Sequence, residues 1–196
     1  MMIICRSIKN YFNRFYDIHS NIRLKLIPLD HEMLQIWNHS GRKSLEKFLQ
    51  LEPNTWEAEK FYQDETRVAL TDFWLPMTKK YPMEFTWYTN WEIILKEKSC
   101  SVGGIGLSGM PNNEGCTEIG YFIDQKFRGL GFASEAVGAL KTWAFKDPDL
   151  VKIKAETPVD NLNSQKVLQK NNFKVIGEKQ INIPEPTPLY CWECAR

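Results

Sequence analysis

The 196-residue chain has no excess of charge of either sign: 25 Lys+Arg stand against 24 Asp+Glu, a formal net charge of +1. A protein that wraps polyanionic backbones needs a basic face to release condensed counterions, so the balance argues against a nucleic-acid partner, and none is expected. Long apolar runs are also missing. Met1 to Cys5 is apolar, but Arg6 and Lys9 follow at once, leaving a run too short for a signal-peptide core and far too short to span a bilayer. Low-complexity segments and internal repeats are absent, and the 43% hydrophobic content is that of a chain that folds rather than one that stays disordered. Cysteine is sparse: Cys5, Cys100, Cys116, Cys191 and Cys194 are an odd, scattered set, expected as reduced thiols of a cytoplasmic protein. Cys191 and Cys194 have CxxC spacing, but they lie in a short apolar stretch of strand character. There residues i and i+3 point to opposite faces, and no second Cys or His pair completes a zinc site. Packing is the expected role, and no metal is expected.

What is present fits one domain, at roughly 100 to 200 residues per domain. Residues 1–21 form an extension with a helical stripe, Ile4, Ile8, Tyr11, Phe12, Phe15 and Ile18, opposite Arg6, Lys9, Asn13, Arg14 and Asp17. Such a stripe packs on the domain or on a second subunit of a homodimer; with only three basic residues behind it, a membrane surface is the weaker alternative. Residues 22–196 are expected to make the domain proper. Ile22 to Pro28 has strand character, and Asp30 caps a helix to about Trp37. Leu45 to Leu51 and Trp56 to about Phe73 have helical character, the second closed by Pro76. Strands are expected at Trp87 to Leu95, Val102 to Leu107 and Thr117 to Asp124, with Pro111 to Gly115 turning between the last two. A helix from Phe132 to Phe145, a strand from Val151 to Thr157, a short helix from Ser164 to Lys170 and strands at Phe173 to Ile183 and Leu189 to Cys194 complete the order. One mixed sheet with helices on it, an α/β (α+β) class, accommodates this sequence of elements.

Two glycine clusters compete for an anion. Gly104-Ile-Gly106-Leu-Ser-Gly109 matches the dinucleotide GxGxxG string, but that fingerprint works only where a strand turns into a helix whose N-terminus receives the pyrophosphate. Here Met110 and Pro111 lead into another strand, so a glycine-rich strand is expected. The second cluster has the right context: Cys116 to Asp124 is a strand, and Gln125-Lys-Phe-Arg-Gly129-Leu-Gly131 leads directly into a helix at Phe132. Glycines at 129 and 131 let backbone amides approach an anion, and the first helical turn adds unpaired donors and a positive dipole end. An ordinary strand-to-helix loop is the alternative.

Three ordered segments carry a family resemblance: Glu118-Ile-Gly-Tyr121, Arg128-Gly-Leu-Gly-Phe-Ala-Ser-Glu-Ala136, and Asn161-Leu-Asn-Ser164-Gln-Lys-Val-Leu-Gln-Lys170 before Phe173. Together they resemble the GNAT superfamily of acetyl-CoA-dependent N-acetyltransferases, with the Rim-like branch, which includes ribosomal-protein N-terminal acetyltransferases, the nearest. The resemblance covers about residues 85 to 180 well, Ile22 to Trp37 as the opening strand and helix, and residues 1 to 21 and 41 to 84 only loosely. It implies the acyl-CoA N-acyltransferase fold: a mixed, mostly antiparallel twisted sheet with helices on both faces and a splayed pair of strands holding the coenzyme. It implies that Arg128, Gly129, Leu130, Gly131, Phe132 and Ala133 hold the coenzyme A pyrophosphate through backbone amides. Backbone groups of Phe122, Ile123 and Asp124 would face the pantetheine arm and the thioester carbonyl, where an N–H stabilises a developing oxyanion. Asn161 would contact the arm and Ser164 would sit near the sulfur, although Asn161 and Asn163 are equally suited to cap the helix. Acetyl-CoA and an amine acceptor are the implied partners.

The chemistry sets further demands. An amine must be neutral to attack a thioester, and free α-amino groups titrate near ~8 against ~10 for lysine. A carboxylate reached directly or through water takes that proton. Glu118, on the strand entering the site, is the candidate base; pairing with a cation or with the acceptor's ammonium is the rival role. Many superfamily members carry a Tyr acid where this chain has Leu168, as the Rim-like branch tends to, so Ser164 or a water is the candidate acid. The glycine usual before Phe173 is Asn172, the next most tolerant residue of the left-handed conformation. Glu52 to Asp72 is an acidic stretch that would attract a cationic amine or simply be a solvated face, and Trp87, Tyr88 and Trp91 would wall a pocket or belong to the core. The expected activity is acetyl transfer to a protein N-terminus or a small amine by direct attack in a ternary complex. A non-catalytic coenzyme A sensor or interaction module of the same fold is the alternative.

Overall fold

The computed structural model describes residues 23–57, 60–182 and 185–196. The apolar stripe from Ile4 to Ile18 and Cys5 lie outside the described residues. Strand β1 (Leu24–Pro28) opens the sheet and leads into helix α1 (His31–Ser40), whose N-terminus is capped as the sequence suggests: Asp30 Oδ1 accepts the Met33 N–H at 2.9 Å. Helix α2 (Arg42–Phe48) follows, and then a long helical arm made of α3 (Lys60–Val68), a π-helical turn (Ala69–Trp74) and α4 (Leu75–Lys80). A 3-10 turn (Phe85–Trp87) precedes strands β2 (Asn90–Leu95), β3 (Cys100–Leu107) and β4 (Cys116–Ile123). Helix α5 (Phe132–Ala144), β5 (Lys152–Pro158), α6 (Leu162–Lys170), β6 (Lys174–Asn182) and β7 (Pro186–Ala195) complete the chain. The seven strands form one sheet in the order β1-β2-β3-β4-β5-β7-β6. Every neighbouring pair is antiparallel except β4 with β5, which run parallel.

Both faces of the sheet are covered, which is why all six residues of β2 are buried. On one face Trp91, Ile93 and Leu95 belong to the main core with Ala136, Val137 and Leu140 of α5, and the rings of Trp91 and Trp143 lie 4.9 Å apart. Burying a side chain of this size contributes about 1.5–3 kcal/mol each. On the other face Glu92 pairs with Arg42 of α2. A smaller apolar cluster, Leu29, Met33, Leu34, Leu45 and Leu70, ties α1, α2 and the helical arm together.

The glycines of β3 serve close packing. A Cβ on Gly104 would stand 2.4 Å from Asn90 Oδ1, and one on Gly106 would stand 2.7 Å from the Thr89 carbonyl. The strand runs into a turn held by Asn112, whose side-chain oxygen accepts the N–H groups of Glu114 and Cys116 at 2.9 and 3.0 Å. No helix follows to receive a pyrophosphate.

Two expectations are corrected. Pro76 does not close the helical arm. The chain widens into a π-helical turn, with the Leu75 N–H reaching back to the Leu70 carbonyl, and Pro76 falls in the first turn of α4, where a missing N–H costs no bond. Strand β2 starts at Asn90, not at Trp87. Trp87 sits in the 3-10 turn, Trp91 Nε1 donates to the Thr86 carbonyl at 2.8 Å, and both indoles pack on Trp143 in the core rather than walling a pocket. Cys100 and Cys116 are buried, and burial pushes both thiols up from their ordinary range. Cys191 and Cys194 are free thiols three residues apart on β7. Among the described residues no helix is long and apolar enough to cross a membrane.

Candidate active site

The parallel pair β4 and β5 is joined only at Cys116–Lys152, Thr117–Ile153 and Glu118–Lys154. Beyond Glu118 the strands part, and a cleft of about 1090 Å³ opens there. Glu118, Tyr121, Phe122 and Arg128 line one side, and Asn161 and Ser164 line the other. Glu65, Phe73 and Trp74 of the helical arm also line it. The Glu65 side chain reaches solvent, yet the cleft walls desolvate it and push its carboxyl above the ordinary range.

The direction of the β4 amides follows from its bonds to β3. The Ser108 N–H donates to the Glu118 carbonyl and the Asp124 N–H donates to the Val102 carbonyl, each at 3.0 Å. Even-numbered residues of β4 therefore exchange bonds with β3, and the backbone groups of Ile119, Tyr121 and Ile123 are turned toward the gap. The Arg128 guanidinium, donating from Nε to the Ile123 carbonyl at 3.0 Å, marks the same side. This corrects the backbone reading for Phe122 and Asp124. Of the three, Ile123 alone directs its main chain into the gap, while Phe122 contributes its ring to the wall.

Asp124 has a different task. Its carboxylate is fully buried and accepts from Asn54 Nδ2 at 3.0 Å and from the Glu57 N–H at 3.2 Å. Those bonds fasten residues 54–57 behind the cleft. There the Trp56 ring packs on Phe122 at 5.6 Å, donates from Nε1 to Glu46 at 3.0 Å, and lies 3.7 Å beneath the Arg42 guanidinium.

After β4 the chain makes a 3-10 turn (Gln125–Phe127) and enters the glycine loop. Gly129 and Gly131 adopt φ of +78° and +85°, the left-handed region in which a side chain is strained. Gly131 supplies no side-chain cap to α5, so among the described residues the first N–H groups of that helix stay available together with its positive dipole end. They face a second cavity of about 350 Å³, lined by Ile123, Arg128, Gly129, Gly131, Phe132 and Ala133. Leu130 of the loop is 52% exposed. The opposite wall carries Lys166 and Lys170, one turn apart on α6. Sequence reasoning did not single out these two lysines, although their i,i+4 spacing after Asn161 carries the signal.

Asn161 takes the capping role: its Oδ1 accepts the Ser164 N–H at 3.0 Å, and the residue still lines both cavities. The Tyr121 hydroxyl stands 2.9 Å from Ser164 Oγ, a partnership across the gap that the sequence did not disclose. Glu118 is exposed in the cleft beside Lys154 of β5. Leu168 is fully buried in the core, and Asn172 adopts φ +65° at the end of α6.

Comparisons with known proteins agree with this geometry. Residues 23–174 match the family described as acetyltransferase (GNAT) domain. The uncharacterized N-acetyltransferase YjdG of Bacillus subtilis is 36% identical over 86 residues, 44% of this chain and 51% of that protein. The uncharacterized N-acetyltransferase p20 of Bacillus licheniformis is 35% identical over 85 residues, 43% and 48% of the two chains. The match thus spans about half the length of these curated relatives. Among solved structures, a ribosomal-protein-S5-alanine acetyltransferase from Vibrio fischeri superposes with a TM-score of 0.62 at 18% identity over 90% of this chain and 95% of that one. RimL, a ribosomal L7/L12 α-N-protein acetyltransferase solved with coenzyme A, gives 0.61 at 18% identity over 91% and 97%. These two likenesses speak to fold alone. A parallel strand pair that splays into a glycine loop at a helix N-terminus, and a family match over most of its length, identify the chain as a member of the GNAT acetyltransferase family.

Proposed function

We propose that the protein is an acetyl-CoA-dependent N-acetyltransferase of the Rim-like branch, acting on a primary amine by direct attack in a ternary complex. The observation that carries this reading is the continuity of the two cavities. The gap between β4 and β5, which opens past the last register pair Glu118–Lys154, runs into the loop at Gly129–Gly131 and the N-terminus of α5. An elongated ligand with a diphosphate at one end and an acyl thioester at the other suits that continuity. Amides of the loop and first helical turn, with Lys166 and Lys170 opposite, would hold the diphosphate.

Bound in this way, the coenzyme supplies a thioester carbonyl as electrophile. The remaining work falls to the chain. The Ile123 or Tyr121 N–H donates to the carbonyl oxygen as it gains charge. Glu118, at the mouth of the gap, takes the proton that the acceptor's ammonium must lose before its nitrogen attacks. Ser164 Oγ, paired with the Tyr121 hydroxyl, delivers a proton to the departing sulfur. Glu65 and Glu118 give the acceptor side an acidic lining suited to a cation, whether a protein N-terminus or a small amine. RimL is by its name an α-N-protein acetyltransferase of ribosomal L7/L12, the Vibrio fischeri enzyme is named for an alanine of ribosomal protein S5, and a spermidine N-acetyltransferase chimera shares the fold with a TM-score of 0.58 at 16% identity.

The test is thiol release from acetyl-CoA across a panel of N-terminal peptides, polyamines, amino acids and aminoglycosides. Release that requires both protein and amine, and saturates in each, is the expected result. Tight coenzyme binding without release on any amine would favour a coenzyme sensor.

A further inference from the structure

Arg23, just before β1, lies 107 residues from the glycine loop in sequence and touches it in space. Its Nε donates to Glu135 Oε1 at 2.7 Å, and its Nη2 donates to the Leu130 carbonyl at 2.8 Å and to the same Glu135 oxygen. The guanidinium lies 4.6 Å over the Phe132 ring, and a Cβ on Gly131 would come 3.5 Å from Nη2. Glu135 sits in the first turn of α5. A carboxylate there is stabilised by the helix dipole, but it draws on the same positive field that an incoming diphosphate needs. Its second oxygen, Oε2, is buried and has no hydrogen-bond partner among the described residues, so Arg23 is what balances its charge. Arginine suits the task because its fork reaches two oxygens at once while its plane rests on an aromatic ring; lysine offers one point charge.

We propose that Arg23 is a positioning residue for the coenzyme: it neutralises Glu135 and ties back the Leu130 carbonyl, so that the loop presents amide donors rather than oxygen acceptors to the diphosphate. This rests on the reading that the loop holds the coenzyme. The test is a double-mutant cycle on the full chain, with coenzyme A affinity measured by calorimetry for the parent, Arg23→Ala, Glu135→Gln and the double variant, and melting curves to confirm folding. Arg23→Ala is expected to weaken binding roughly tenfold. The loss should be clearly smaller in the Glu135→Gln background, with KM for acetyl-CoA rising more than kcat falls. Equal losses in both backgrounds, or no loss in either, would overturn the proposal. Arg23→Lys, which keeps the charge but loses the fork, should fall between parent and alanine; full parental affinity would contradict the bridging role. If the parent itself does not bind coenzyme A, the coenzyme reading fails instead, a result distinct from binding that ignores Arg23.

Discussion

The Tyr121 hydroxyl on β4 and Ser164 Oγ in the first turn of α6 stand 2.9 Å apart across the gap between β4 and β5. The pair joins the two walls of the cleft. If Ser164 delivers the proton to sulfur and Tyr121 orients it, Ser164→Ala lowers kcat by about 10² and Tyr121→Phe by less. Acetyl-CoA KM stays within a few-fold in both. Steady-state kinetics on the best amine of the panel checks this split.

Glu118→Gln removes the proposed base without changing side-chain volume. Turnover is expected to drop by about 10²–10³ with coenzyme affinity kept, and the pH–rate curve should lose its acidic limb. A variant whose curve overlays that of the parent would move the base elsewhere.

Glu65 carries a stability consequence of definite sign. Burial raises its carboxyl in the folded protein above the unfolded value, so the native state binds that proton more tightly. Stability contributed by the neutral form is present below the unfolded value and is lost as pH rises through the folded one. Glu65→Gln should therefore melt higher than the parent at neutral pH, and the difference should vanish in acid. A cationic acceptor relieves the same cost, so the variant should also show a raised KM for amines. Melting curves across pH and amine kinetics check the two halves separately.

Asp124→Ala leaves Asn54 Nδ2 and the Glu57 N–H without their buried acceptor. The expected loss is about 2–4 kcal/mol, with residues 54–57 loosened from β4 and the Trp56–Phe122 contact weakened. Denaturant unfolding gives the first quantity, and tryptophan fluorescence reports the second.

How much of this was legible depends on whether a feature is local. Period, caps and turn residues placed β3, β4, α5 and the Asp30 cap within a few residues, because each is set by neighbours in sequence. The glycine loop was legible for the same reason: strand, two glycines and helix are contiguous. The start of β2 was misplaced because Trp87 and Trp91 have strand-like spacing, yet their indoles are claimed by Trp143, some 50 residues away. Pro76 misled because a π-helical turn absorbs it, a rearrangement that no residue pattern announces. The role of Asp124 was hidden by distance: its partners Asn54 and Glu57 meet it only once the sheet has formed. Arg23 and Tyr121 with Ser164 belong to that class too. Alternation along β4, which was available in the sequence, required only the register with β3 to show that Ile123, not Phe122 or Asp124, turns its backbone to the gap.

Amide hydrogen exchange with and without coenzyme A tests the coenzyme site most directly, because the site is built from backbone N–H groups. Saturating coenzyme should slow exchange at Gly129, Gly131, Phe132 and Ala133 and at Tyr121 and Ile123. The slowing should disappear in Gly131→Val, whose side chain is strained at φ +85°. Protection on β3 at Gly104–Gly109 instead, or unchanged exchange across the loop at saturating coenzyme, would contradict the assignment.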